Sequence, residues 1–226
     1  MTPCTLYGRL PEHYGLSHIL ELSQKAAGTH LEQLGLSGKA EEMGLAWMII
    51  RIHGEILRPL QDELKISTWP MESKRGFLPR YCEMHDSEGN LCLKMTTLWV
   101  LADATTRTLR MDEPILVPNM ARGDELPPAR SLPKKTLPQL GAFTVTDDQI
   151  DENGHMNNCQ YATLAQPYFP VDTLHQFTVD YRAEILPHAH GELWGAWEDD
   201  AFFFCGTCEE KEHFRMKLTF HKEVQA

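Results

Sequence analysis

Glu55-Ile56-Leu57, followed by Glu63-Leu64, recurs 129 positions later as Glu184-Ile185-Leu186, followed by Glu192-Leu193. Matches at one fixed offset point to an internal duplication, and the order of elements around the two copies repeats as well. Ahead of the first copy, Ile19, Leu22, Ala26, His30 and Leu34 recur at helical steps, with Ser17 placed to cap and Gly35 just past the end. That spacing predicts one amphipathic helix over 17–34. The period then changes to that of a strand: Met48, Ile50 and Ile52 alternate with Arg51, His53 and Glu55, and Leu64, Ile66 and Thr68 with Glu63, Lys65 and Ser67. Residues 75–86 and 91–103 flank the turn signal Ser87-Glu88-Gly89-Asn90 and predict a hairpin. Ahead of the second copy a short helical segment near 157–166 is stopped by Pro167 and Pro170, and strands follow near 174–186, 192–198, 201–208 and 213–222. Helix then strands, twice, predicts a duplicated α+β unit.

The two copies are separated by residues 111–140, which hold six of the fourteen prolines. Proline neither continues a helix nor donates to a sheet ladder, so this stretch reads as a linker between a unit over 1–110 and a unit over 141–226. Neither piece is large enough to be comfortable alone, and a shared core is expected. With 42% hydrophobic and 23% charged residues the chain is globular in composition. Its net charge of -11 argues against nucleic acid and anionic lipid as partners. The longest apolar run, Leu45 to Ile50, is far short of a bilayer span, and the first residues carry no leader signature, so no membrane association and a cytoplasmic address are expected. Cysteines 4, 82, 92, 159, 205 and 208 are too dilute for a disulfide scaffold and read as reduced core thiols.

Three places could carry chemistry. Cys205-Gly206-Thr207-Cys208 has redox or zinc spacing, but it follows Phe202-Phe203-Phe204 in a predicted strand, where positions three apart face opposite ways. Core filling is the better account. Histidines 175, 188, 190, 213 and 221 have no metal-site spacing and read as solvated loop residues. No metal and no cofactor are expected. The third place, Asp151-Glu152-Asn153-Gly154-His155-Met156-Asn157-Asn158, concentrates polar function just before the second helix. Gly154 permits a positive φ, and Asn157 or Asn158 can cap the helix, which would gather Asp151, Asn153 and His155 at its start. Donors at a helix start stabilise charge developing on a carbonyl oxygen, and a carboxylate or imidazole handles the proton of an attacking water. Hydrolysis of an activated carbonyl fits that set, although an Asx-rich turn of ordinary solvated residues has the same composition.

DxNGHxNNxxY at 151–161 followed by FTVDYRAEI at 177–185 resembles the second half of the acyl-acyl-carrier-protein thioesterases, which are built from two fused hot dog units. The first half is similar too: Trp47 in GLAWMIIR, STWP at 67–70, Phe77 after Arg75, and LWVLADATTRTL at 98–109 stand in the family's order. The resemblance runs from about residue 5 to 221. It implies a tandem hot dog fold, hydrolysis of fatty acyl thioesters, and a catalytic set of Asp151, Asn153, His155 and Glu184. Strand parity agrees in placing Asp180, Arg182 and Glu184 opposite the apolar Phe177, Val179, Tyr181 and Ala183. The cysteine that often follows the catalytic Glu in plant relatives is Ile185 here, which excludes a cysteine nucleophile at that position, and Cys159 reads as packing. The first half has Arg9-Leu10-Pro11-Glu12-His13-Tyr14-Gly15 where the polar motif would stand, so one active site per chain is expected. The first unit is then expected to supply the acyl pocket, with Met48, Ile50 and Trp69 as lining candidates.

The partner the resemblance implies is acyl carrier protein bearing a phosphopantetheine-linked fatty acyl chain. Such carriers are acidic, and Lys74, Arg75, Lys134 and Lys135 are the candidates for a local basic patch. An acyl-coenzyme A thioesterase and a non-catalytic acyl-binding hot dog protein are the rival readings. A hot dog dehydratase is disfavoured because its signature inserts a proline between Asn and His, which Asn153-Gly154-His155 lacks. A homodimer stays open, since hot dog units associate through their sheets.

Overall fold

The computed structural model describes residues 2–112 and 114–221. Its contacts divide the chain into two compact units: one gathers Leu20–Ala129 with the first segment through Glu12, the other His13–Ile19 with the chain from Arg130 onward. The first unit contains β1 (Cys4–Arg9), most of α1 (Leu16–Gln33), α2 (Lys39–Glu42), β2 (Leu45–Ile56), β3 (Glu63–Pro70), β4 (Leu78–His85), β5 (Leu91–Asp103) and β6 (Leu109–Arg110). Its strands pair antiparallel in the order β1-β3-β4-β5-β2, with β6 on β5. The second contains β7 (Gln139–Thr144), α3 (Tyr161–Ala165), β8 (Leu174–Tyr181), β9 (His190–Glu198), β10 (Ala201–Cys208) and β11 (Lys211–Phe220), paired antiparallel as β7-β9-β10-β11-β8. Strand for strand the wiring is identical. Each unit curls an antiparallel sheet around a helix, the hot dog fold in tandem, as expected.

In the first unit α1 lies over β1, β3 and β4. Its contact face carries Ser23, Ala26, Ala27 and His30, all buried, and Gly8 of β1 leaves room for Leu22, whose Cδ2 would stand 2.7 Å from a Cβ there. The helix stops in a Schellman turn: Gly35 takes φ 66°, its N–H donates to Glu32, and the N–H of Leu36 donates to Leu31. Ser17 does not cap the start. The helix opens at Leu16, where Gly15 donates to His18 Nδ1 at 3.0 Å and Leu16 to Gln166 Oε1 at 3.3 Å. In the second unit α3 is a single turn, and aromatic rings do the filling. Tyr161 meets Tyr181 and Phe214 edge-on at 5.3 and 5.2 Å, and Tyr168 lies over Phe202 and Phe204. Burying each Phe contributes about 1.5–3 kcal/mol.

Two bulges reset the alternation. In β2, Ile49 pairs with Trp99 but Arg51 pairs with Leu98, which leaves Ile50 as the extra residue. Parity flips across it, so the buried positions are Leu45 and Ile49 before the bulge and Ile52, Gly54 and Ile56 after. In β11 the extra residue is His213, between Glu212, opposite Thr207, and Phe214, opposite Gly206. His213 is therefore buried, and His175 and His190 lie in β8 and β9, which corrects their assignment to solvated loops. All six cysteines are buried thiols. Gly206, inside the CxxC, makes room for the ring of Phe214, which a Cβ there would strike. β1 and β7 were not foreseen, and Lys222, the end of the strand expected over 213–222, lies outside the described residues.

The described residues of the proline-rich stretch form no regular element up to Pro138, yet they are tied down. In the first unit Ile115 is buried, Glu125 accepts from Trp69 Nε1 at 2.8 Å, Arg122 stacks 4.0 Å over the Trp69 ring, and the carbonyl of Ala129 accepts from Arg51 at 3.0 Å. In the second, Asp180 Oδ2 accepts from Ser131 Oγ and Leu132 N, both at 2.8 Å. Among the described residues no helix is long and apolar enough to cross a membrane.

Candidate active site

The polar turn after β7 closes on itself. Ile150 and Met156 pair in a β-bridge, Asp151 N donates to the His155 carbonyl at 3.0 Å, and Gly154, at φ 78°, donates to the Asp151 carbonyl at 3.0 Å. Asp151 Oδ1 accepts the N–H of Asn153 at 2.8 Å, an Asx turn that holds the loop crest. The side chain of His155 is thereby aimed at Glu184: Nε2 lies 3.5 Å from Oε1, while Nδ1 stands 3.8 Å from Asp151 Oδ2 and 3.3 Å from the Met156 carbonyl. A carbonyl only accepts, so the contact to Met156 is favourable when Nδ1 carries a hydrogen. Nε2 then faces the Glu184 carboxylate.

Glu184 is not in a strand. β8 ends at Tyr181, and Arg182–Leu186 leave the sheet as irregular chain, so strand parity does not govern Glu184's direction. The segment is instead held from three sides. Met156 N donates to the Ile185 carbonyl at 2.8 Å, which fastens the polar turn directly to it. Tyr161 Oη accepts from Ile185 N at 3.2 Å and donates to the Ala183 carbonyl at 3.4 Å. The carbonyl of the bulge residue His213 accepts from the N–H groups of Arg182 and Ala183 at 2.8 and 3.2 Å. Burial pushes the His213 imidazole's pKa down, against hydrogen bonding by the backbone of Glu184 and Ala183. His213 and Tyr161 support the site in roles the sequence does not assign: only a pairing register reveals a bulge residue, and Tyr161 closes the DxNGHxNNxxY motif without showing what its hydroxyl holds.

Asp151, His155 and Glu184 therefore come together, with side-chain exposures of 18%, 12% and 26%, enough for water to reach the carboxylate of Glu184. Asn153 joins through its backbone. Its side chain stands exposed on the crest and makes no hydrogen bond among the described residues. Asn157 and Asn158 do not cap a helix starting at 157, because α3 begins at Tyr161. The N–H of Cys159 is taken by Asn157 Oδ1 at 2.9 Å and that of Gln160 by the Asn157 carbonyl at 2.8 Å, so those donors are already committed. Cys159 is fully buried. Among the described residues no group of three or more His, Cys, Asp or Glu is arranged to hold a metal ion.

The first unit holds a cavity of about 180 Å³ lined by Gln24, Leu31, Trp47, Arg80, Trp99 and Val117 among others. Of the expected lining residues, Met48 and Ile50 are displaced by the β2 bulge, which turns Trp47 to the cavity in their place, and Trp69 is buried beneath Arg122.

Residues 10–116 match the acyl-ACP thioesterase N-terminal domain. Among solved structures the chain is similar to an acyl-ACP thioesterase from Bacteroides thetaiotaomicron, with a TM-score of 0.82 at 18% identity over 96% of this chain and 97% of that one. It is similar to the 12:0-ACP thioesterase from Umbellularia californica at a TM-score of 0.79 and 18% identity, covering 98% of each. No curated protein matches in sequence. The tandem hot dog fold is the one these solved structures share with this chain.

Proposed function

We propose that this protein is a thioesterase that releases fatty acids from acyl carrier protein, using the Glu184–His155 pair of the second unit. The observation that supports it most is the 3.5 Å contact between His155 Nε2 and Glu184 Oε1, on a carboxylate that water can reach. Glu184 accepts a proton from water, whose oxygen adds to the thioester carbonyl carbon. The C–S bond then breaks, the carrier's sulfur leaves as thiol after taking up the proton, and the free acid remains. His155 orients and polarises the reacting groups. Asp151 holds the turn that aims His155, and the Asn153 amide, a donor left available at the crest, holds the carbonyl oxygen as it gains charge. The cavity of the first unit, in the half that carries the family domain, takes the acyl chain.

Glu184→Gln should remove nearly all thiol release in folded protein, Asp151→Ala, which removes the acceptor of the Asn153 N–H, should lower it, and Cys159→Ala should keep most of it. Matched carrier and coenzyme A thioesters separate the substrates: higher kcat/KM on the carrier supports the proposal, and preference for coenzyme A replaces it. Of the basic candidates, Lys74 pairs with Glu72 at 3.1 Å, and Lys135 pairs with Glu198 and lies 3.9 Å over the Phe203 ring, while Arg75 and Lys134 are exposed. Charge reversal at Arg75 or Lys134 should raise KM for the carrier substrate most at low salt, and an unchanged KM removes them as carrier contacts.

A further inference from the structure

The cavity of the first unit is apolar over most of its wall, yet a buried arginine is among its lining residues. Arg80, in β4, is 6% exposed. Its Nη1 meets His30 Nδ1 at 3.1 Å and Thr68 Oγ1 at 3.4 Å, and those are the guanidinium's hydrogen bonds among the described residues. No carboxylate lies within ion-pair distance of it among them; the groups that bear on its charge are the buried thiols of Cys82 and Cys4. Burial lowers its pKa only to about 10, so it stays a cation at neutral pH. Burial and Arg80 together bring His30 down to about 4, so the imidazole beside it is neutral and supplies a lone pair rather than a counter-charge. Burial pushes the Cys82 thiol up to about 12, which keeps it protonated and neutral. The wall thus carries one net positive charge, with Nε and Nη2 of the fork not engaged by any described residue.

A second polar group on the same wall points the same way. Gln24 of α1 also lines the cavity, and its Nε2 is buried with no hydrogen-bond partner. A buried cation without its anion and a buried amide without its partner are both costly, and both costs fall if a ligand brings an oxygen acceptor. The remaining wall, with Trp47, Leu31, Trp99 and Val117, suits an aliphatic body. A plain hydrocarbon chain would satisfy that wall and leave Arg80 dry and uncompensated.

We propose that the cavity binds an aliphatic chain ending in a carboxylate, held by Arg80, so that the preferred substrates are thioesters of dicarboxylic acids rather than of simple fatty acids. This rests on the thioesterase reading and specifies its acyl group. A chain ending in hydroxyl would gain part of the same interaction, since it accepts a hydrogen bond without neutralising the charge.

The test needs no variant: kcat/KM is compared for thioesters of one chain length ending in methyl, hydroxyl or carboxylate, presented on the same thiol. The expected order is carboxylate, hydroxyl, methyl, with about tenfold or more between the extremes, as a charge-assisted hydrogen bond supplies. Arg80→Met should collapse the series, raising the methyl-ended chain relative to the others. Equal or better turnover of the methyl-ended chain by the wild-type enzyme overturns the inference and leaves the proposed function standing. If no thioester is cleaved, the proposed function falls, and the cavity is then read by quenching of tryptophan fluorescence, since Trp47 and Trp99 line it. Octanoate quenching at lower concentration than octanol in the wild type, with the difference lost in Arg80→Met, supports the carboxylate site; equal quenching by the two overturns it.

Discussion

The two units share one wiring diagram and differ in where a strand ends. In the first, β2 runs twelve residues, and Glu55 stays inside it, opposite Lys94 of β5. In the second, β8 runs eight residues and stops at Tyr181, so Glu184, the repeat partner of Glu55, lies in chain that has left the sheet. A glutamate in a paired strand has its backbone fixed by the ladder and its side chain set by the pleat. A glutamate beyond the strand can be aimed by other groups, and here Met156, Tyr161 and His213 fix the backbone around it. The helices differ in the same sense. An eighteen-residue α1 contributes to a cavity wall with Arg80 behind it, whereas a five-residue α3 leaves its place to the polar turn of Asp151 and His155. Duplication thus supplies two equal frames, and the ends of the elements decide which one holds reactive groups.

The largest expected effect separates the repeat partners. Glu184→Gln should reduce kcat by about 10²–10⁴, the range for removal of a general base, and Glu55→Gln should leave it unchanged. Equal losses from both would make the two units equivalent and dissolve the contrast. A second effect belongs to the first unit's interior. His30 has a folded-state pKa of about 4, below the ordinary 6.5. Between those values the unfolded chain binds a proton that the folded protein does not, so stability is full above pH 6.5 and declines as pH falls toward 4, by up to about 3 kcal/mol. Denaturation midpoints followed over pH 4–7 should therefore slope less in His30→Gln than in the wild type, while the residual slope includes His213, shifted in the same direction.

Smaller effects sharpen the account of how Glu184 is aimed. Tyr161→Phe removes the acceptor of the Ile185 N–H and should cost about 1–3 kcal/mol of stability, from an unsatisfied buried donor. Its kcat should fall with KM little changed, because the carboxylate loses its fixed position rather than its chemistry. Cys159→Ala, a small change at a fully buried site, should cost stability with kcat/KM nearly intact; loss of turnover in folded protein would give the thiol a role that its burial argues against.

Much of this was legible before any coordinates, for reasons that can be located. Gly35 and the spacing from Ile19 to Leu34 identify α1 because a helix and its stop are local properties. The density of Asp151, Asn153 and His155 marks the turn for the same reason. Family resemblance marks Glu184, whereas strand parity does not set its direction, since β8 ends three residues earlier. The bulges at Ile50 and His213 were not legible, because a bulge is a property of the pairing between two strands. That is why Met48 and Ile50 were expected at the cavity where Trp47 stands, and why His213 was expected in solvent. Arg80 gave no local signal either: its burial depends on α1, β3 and β4 meeting around it.

The central claim is that a carboxylate–imidazole pair confined to the second unit splits acyl thioesters. It is tested most directly by thiol release from acyl carrier protein, comparing wild type with Glu184→Gln and Glu55→Gln proteins of equal folded content. Turnover by wild type and Glu55→Gln, with none above background in Glu184→Gln, is the predicted result. Undiminished release by Glu184→Gln would contradict it.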